Sequence, residues 1–230
     1  MNIPYVITID GPAGAGKSTL GKLLAQRIGY LYFDTGVMYR ALTLGALEQK
    51  IDLYNEDLLA KLARQLDIQI EKPHVVDGRQ YTVLVDGRDV TWDLRRADVE
   101  QHVSLVASHP AVRGVMRARQ REVGSRGRVV MVGRDIGKVV MPDAPLKIYL
   151  ETSLPERARR RADELRARGN TVHAAEIQQE VARRDLLDRH VMTPAPDALL
   201  LQGDELSPEE EVDVIMTYLA DSQSPAVSRE

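Results

Sequence analysis

Residues 11–18 read Gly-Pro-Ala-Gly-Ala-Gly-Lys-Ser, so Gly11 and Gly16 stand at the G-x-x-x-x-G-K-[ST] spacing with Lys17 and Ser18 completing it. This is the pattern of a phosphate-binding loop, and it constrains the fold more than any other stretch. A triphosphate crowds negative charge into a small volume. Inward-pointing backbone N–H groups, one lysine and a bound Mg²⁺ hold it best. The flanks supply the context the loop needs. Tyr5-Val6-Ile7-Thr8-Ile9 is β-prone, and Leu20, Leu23, Leu24 and Ile28 recur behind the loop at helical spacing, with Gly29 as a stop. A strand, a tight loop and a helix N-terminus facing the anion follow from that order.

Four further apolar runs, near 30–33, 129–132, 146–150 and 198–201, alternate with helical patterns. Short continuous runs such as Val129-Val130-Met131-Val132 suit strands buried on both faces. The expected fold is therefore α/β, a five-stranded parallel sheet of the P-loop NTPase type flanked by helices. Between the second and third core strands lies an insert, 51–125. It carries a helix near 56–66 with Leu58, Leu59, Leu62 and Leu66, alternating strands at 68–71 and 81–85, and two helices broken at His109-Pro110. The turn pairs Asp77-Gly78 and Asp86-Gly87 punctuate it. Ser207-Pro208-Glu209-Glu210 reads as an N-cap, a first-turn proline and a capping-box glutamate. The core is expected to comprise 1–50 and 126–220, with a helical lid at about 153–184 and a flexible tail at 221–230.

The 230 residues include no cysteine, which excludes disulfides and thiol chemistry. The five histidines lack zinc-ligand spacing. No apolar run approaches the ~18 residues of a membrane span, and the strand that begins within a few residues of Met1 leaves no room for a leader. A cytoplasmic monomer is expected. The net charge of −3 and the 4% aromatic content argue against a nucleic-acid partner. The 31 basic residues are 24 Arg and 7 Lys, a bias toward bidentate contact with phosphate or carboxylate.

Asp34-Thr35-Gly36 follows the second strand, with Arg40 a helical turn on. At the carboxyl end of a parallel sheet these residues fall beside the phosphate loop. Asp34 either holds a Mg²⁺-bound water or caps the helix. Arg40 is placed to face a second phosphate. Gly133-Arg134-Asp135 ends the third core strand at the same edge. Arg134 can clamp a phosphate bidentately, and Asp135 can reach Mg²⁺, accept from an amino group on a base, or form a structural ion pair. Arg157, Arg159, Arg160 and Arg161 gather at a helix start, where cations oppose the helix dipole unless an anion joins them. Arg183-Arg184-Asp185 and Asp188-Arg189 continue the pattern one helix later.

Gly11–Thr19, Asp34-Thr35-Gly36-x-x-Tyr39-Arg40, Gly133-Arg134-Asp135, Pro142–Leu150 and Arg184-x-x-x-Asp188, in this order, resemble bacterial cytidylate kinase from about 3 to 220. The resemblance implies transfer of a phosphoryl group from ATP to CMP or dCMP, with Mg²⁺ bound alongside ATP. It implies that Gly11, Pro12, Ala13, Gly14, Ala15, Gly16, Lys17, Ser18 and Thr19 hold ATP, with Ser18 on the Mg²⁺. It implies that Arg40, Arg134 and Arg184 hold the acceptor phosphate, that Ser104, Arg113 and Asp135 face the cytosine, and that Asp188 binds the ribose. Thr35 joins the CMP-binding set. Arg157, Arg160 and Arg161 become lid residues that act in catalysis with Lys17 and Arg134, and the insert becomes the nucleoside-monophosphate-binding subdomain. The family often has an arginine a few residues beyond the position of Asp188. Here the segment runs Asp188-Arg189-His190-Val191-Met192-Thr193-Pro194, with Arg189 as the substitute. The alternative is a P-loop kinase for another small acceptor, such as shikimate.

Overall fold

Alternation along two central strands builds the two faces of the molecule. In β1 (Val6–Asp10), Ile7 and Ile9 enter one apolar cluster and Val6 enters the other. In β6 (Val129–Val132), Val130 and Val132 join the first, Val129 and Met131 the second. This is the period-two consequence of a strand buried on both faces. The computed structural model describes residues 3–167, 169, 171–188 and 192–221, apart from the side chains at 184, 187 and 188. The expected tail beyond 221 lies outside the described residues.

The chain runs β1, α1 (Lys17–Ile28), β2 (Leu31–Asp34), α2 (Gly36–Glu48), α3 (Glu56–Gln65), β3 (Ile68–Glu71), β4 (Thr82–Val85) and β5 (Arg88–Asp89). A 3₁₀ turn at Asp93–Arg95 leads to α4 (Ala97–Ser108), α5 (Pro110–Ser125) and β6. A π turn at Ile136–Val140 then leads to β7 (Leu146–Glu151), α6 (Leu154–Ala167), α7 (Ala174–Asp188), β8 (Leu199–Gln202) and α8 (Pro208–Asp221). The five parallel strands lie in the order β2-β6-β1-β7-β8. The chain leaves β1 toward β2 on one side and later reaches β7 and β8 on the other. The crevice where a ligand is favoured therefore opens above the carboxyl ends of β1 and β6. The register sets Asp34 beside Val132 and Ile9 beside both Val132 and Ile148. The loops after β1, β2 and β6 thus leave the sheet at one level.

The insert forms the three-stranded antiparallel sheet β3-β4-β5 with α3, α4 and α5. Asp86 and Gly87 join β4 to β5 with φ of 49° and 78°, the left-handed pair that a tight hairpin requires. On α3 the apolar stripe is Leu59, Leu62, Ala63 and then Leu66, the i, i+3, i+4, i+7 set, all buried. Leu58 lies at the edge of that stripe and is 45% exposed. α3, α4, α5 and the small sheet share one apolar cluster with α2 and the parallel sheet. α1 and α8 cover the other face.

Candidate active site

The phosphate loop joins β1 to α1 as its sequence requires. Gly16 sits at the start of α1 with φ of 101°, a conformation a side chain rarely tolerates, and no side chain caps the helix. The start of α1 is therefore left without a side-chain acceptor, the arrangement that suits an anion. Lys17 Nζ donates to the Pro12 carbonyl at 2.7 Å. Burial and the neighbouring Arg134 guanidinium pull the Lys17 ammonium down to about 8, opposed by Asp34 and Asp10. Ser18 and Thr19 are exposed on the first turn of α1.

Asp34, Arg134 and Lys17 lie within electrostatic reach of one another. Asp34 Oδ1 accepts from the Gly36 N–H at 3.0 Å, so this carboxylate does close the start of α2. Burial pushes its carboxyl up, against the Gly36 amide, Lys17, Arg40 and Arg134. Thr35 is buried and donates its hydroxyl to the Val132 carbonyl at 3.0 Å, pinning α2 to the end of β6. Arg40 donates to the Leu94 carbonyl and to Glu100 on α4, both at 3.3 Å. Ser104 is exposed on α4, one turn past Glu100.

Asp135 is buried, and its Oδ2 lies 3.1 Å from Arg113 and 3.3 Å from Arg117. Both arginines project from α5 of the insert. Sequence reasoning singled out Arg113 and missed Arg117, whose i+4 spacing on one helix face was the available signal. The Nε of Arg117 is buried without a partner among the described residues. Tyr39 lies beside this cluster, its phenol pushed up by burial, with Asp135 adding to the rise and the arginines opposing it.

Asp10 was also missed. It ends β1 directly before the loop, and its two oxygens accept from the Ile136 and Gly137 amides at 2.8 and 2.7 Å. This contact locks the turn that follows Arg134 and Asp135 onto the strand that launches the phosphate loop. Burial lifts the Asp10 carboxyl to about 6, opposed chiefly by those two amides. An aspartate closing an apolar strand is ordinary in a sequence, so nothing local marked it.

The arginines near the start of α6 are engaged with the protein. Arg157, only 5% exposed, pairs with Asp185 through two contacts of 2.9 and 2.6 Å and also donates to the Ala13 and Thr152 carbonyls. It thereby ties the phosphate loop to α6 and α7. Arg160 donates to Glu156 at 2.8 Å, to the Ala15 carbonyl at 3.0 Å and to the Gly203 carbonyl. Arg161 pairs with Glu164 at 2.8 Å. The side chains of Arg184 and Asp188, and all of Arg189, lie outside the described residues. A cavity of about 370 Å³ opens beside the phosphate loop, lined by Gly16, Thr19, Arg160, the 204–208 loop and Glu211.

A phosphate loop at the switch point of a parallel sheet, ringed by arginines, defines the class: a P-loop phosphotransferase. Its fold resembles that of a crystal structure of shikimate kinase from Bacteroides thetaiotaomicron, at 14% identity and a TM-score of 0.51, over 95% of this chain and 99% of that one. That likeness speaks to the fold alone. The cytidylate kinase family profile matches residues 7–221. A cytidylate kinase of Roseiflexus castenholzii is 60% identical over 222 residues, 96% of each chain. One from Chloroflexus aggregans is 56% identical over 97% of each, and one from Geobacillus kaustophilus 48% over 91% and 94%. The chain belongs to the cytidylate kinase family of phosphotransferases.

Proposed function

We propose that this chain transfers the γ-phosphoryl group of ATP to CMP or dCMP, giving ADP and CDP or dCDP. The observation that carries the reading is Asp135. Its carboxylate is held by Arg113 and Arg117 of the insert and lies beside the phosphate loop through Asp10. Cytosine offers an amino donor at N4 and acceptors at N3 and O2. A carboxylate flanked by a guanidinium complements that edge. Uracil turns an acceptor toward the carboxylate, and each mismatch costs about 1–3 kcal/mol.

The loop 11–19 would hold the ATP phosphates, with Lys17 on their oxygens. The cavity between Thr19 and Glu211 would take the donor's base. Arg40, Arg134 and Arg184 would gather on the acceptor phosphate, Ser104, Arg113 and Asp135 on the cytosine, and Asp188 on the ribose. Thr35 would hold the floor between the two sites. Hard oxygen donors suit Mg²⁺. The exposed Ser18 hydroxyl and the nearby Asp34 carboxylate are such donors, the latter acting through water. The ion would neutralise charge building up between the phosphates.

The acceptor oxygen of a nucleoside monophosphate is already ionised near neutrality, so no general base is required. Cancelling repulsion between two anions is the task, and Lys17, Arg134, Arg160 and Arg161 supply the charge. Arg160 and Arg161 would swing from their carboxylate partners onto the phosphates. Arg157, held by four hydrogen bonds to three residues, would brace the loop. The test is ADP release with ATP and Mg²⁺ against CMP, dCMP, UMP, AMP, GMP and shikimate in turn. Activity confined to CMP and dCMP is expected. Turnover of shikimate, or of none of the nucleotides, would contradict the reading.

A further inference from the structure

Glu211 enters the proposed function only as a wall of the cavity for the donor's base. It lies on the first turns of α8 and is 2% exposed, yet no hydrogen-bond donor among the described residues engages its carboxyl group. Buried carboxyl groups are ordinarily hydrogen-bonded or paired. Glu211 is instead packed against the Gly203 backbone, where an added Cβ would stand 3.0 Å from its Oε1. It also lines the cavity beside Gly16 and Thr19. The nearest cation with an electrostatic effect on it is Arg160, whose own donors go to Glu156, Ala15 and Gly203. An unmatched carboxyl group at the edge of a cavity beside the phosphate loop is an acceptor, or when protonated a donor–acceptor pair, left for a ligand.

We infer that Glu211 reads the base of the phosphoryl donor, its neutral carboxyl group matching adenine and its carboxylate matching guanine. This rests on the reading that the donor's base enters this cavity. The chemistry follows from the base edges. A neutral carboxyl group offers one O–H and one C=O. These complement N1, an acceptor, and the N6 amino group, a donor, of adenine. A carboxylate offers two acceptors, which complement the N1–H and N2 amino donors of guanine. Each state leaves the other base with an unsatisfied or opposed polar group.

Burial lifts the Glu211 carboxyl to about 7, with Arg160 opposing the rise, so both states are populated near neutrality. The other charged groups around the cavity are Glu156 and Arg159 on α6 and Asp204 and Glu205 on the loop before α8. α1 contributes only the uncharged Gly16 and Thr19. Donor preference should consequently change with pH while the acceptor stays the same. The triphosphate is common to both donors, so its own titration cancels in a ratio.

The experiment measures kcat/KM for ATP and for GTP with CMP as acceptor at pH 6 and pH 8, in the parent protein and in Glu211→Gln. The parent ATP-to-GTP ratio is expected to fall by about a hundredfold between the two pH values, roughly tenfold from the loss of the neutral carboxyl group and tenfold from the gain of the carboxylate. Glutamine offers N–H and C=O without titrating. The variant should therefore keep an ATP preference that is flat with pH. A parent ratio that changes by less than about twofold, or a pH slope that survives in Glu211→Gln, would overturn the inference. Should the variant fail to fold, the parent ratio alone decides. Normal turnover of CMP with ATP alongside a flat ratio would sink this inference and leave the proposed function standing. Absence of turnover with either donor would instead strike at the function itself.

Discussion

At the residue scale the site depends on charges kept close together at a cost. Lys17 has its ammonium pulled from an ordinary 10.5 down to about 8 by burial and by Arg134. Bound polyphosphate restores the proton. ATP affinity should thus be full below pH 8 and weaken above it, approaching tenfold per pH unit, with proton uptake on binding. Calorimetry in buffers of different ionisation heat would show that uptake, and its absence at pH 8.5 would contradict the assignment. Stability moves in the opposite direction, because burying the charged ammonium costs the fold most below pH 8. The unfolded chain binds more protons at Lys17 between pH 8 and 10.5, so this residue favours the fold increasingly as pH rises through that window. Arg134→Ala should fold normally and lose about 10²–10³ in kcat, the cost of one missing charge on the transferring group. Unchanged turnover would remove Arg134 from the clamp. Asp10→Asn should act differently. One of its two amide partners would then face an NH₂ group, and the mismatch costs about 1–3 kcal/mol in stability, read by denaturant unfolding.

At the element scale two joints set the geometry. The capping box on α8 is built as its sequence reads. Glu210 accepts from the Ser207 N–H at 2.8 Å, and Ser207 Oγ accepts from the Glu210 N–H at 3.3 Å. Ser207→Ala should cost about 1 kcal/mol, measured by thermal or denaturant unfolding, with little effect on kcat. The Arg157–Asp185 pair is deeper, with side chains 6% and 22% exposed. Removing Arg157 leaves a largely buried carboxylate alone and should destabilise by about 3–5 kcal/mol. Arg157→Ala and Arg134→Ala thus separate a brace from a clamp: the first lowers stability, the second lowers turnover in a stable protein. An Arg157→Ala variant as stable as the parent would contradict the brace. The brace was not legible from sequence, where Arg157 looked like its neighbours Arg159, Arg160 and Arg161. Its partner lies 28 residues away, and only the packing of α6 on α7 through Ala158, Ala162, Ile177 and Val181 brings them together.

At the scale of the whole molecule, the strands of the parallel sheet were legible because each is a short apolar run, whereas β5, the exposed pair Arg88–Asp89, carries no such run and was missed. The strand order was not legible, since nothing local says that β6 falls between β1 and β2. The site divides along the same line. The loop 11–19 and the Gly133-Arg134-Asp135 turn announce themselves through residue types that phosphate chemistry demands. Arg117, Asp10 and Glu211 do not, because an arginine on a helix, an aspartate ending a strand and a glutamate in a first helical turn are all ordinary there. Their meaning comes from the fold, which sets α5 of the insert against Asp135 and α8 against the cavity at Gly16 and Thr19, two parts of the proposed ligand space. The central claim is that this space joins a phosphate-transfer site to a cytosine-reading one. The most direct test is kcat/KM for CMP against UMP with saturating MgATP. CMP favoured by about 10–100-fold is the expected result, one to two mismatched polar groups in free-energy terms. Comparable values for the two would contradict the account.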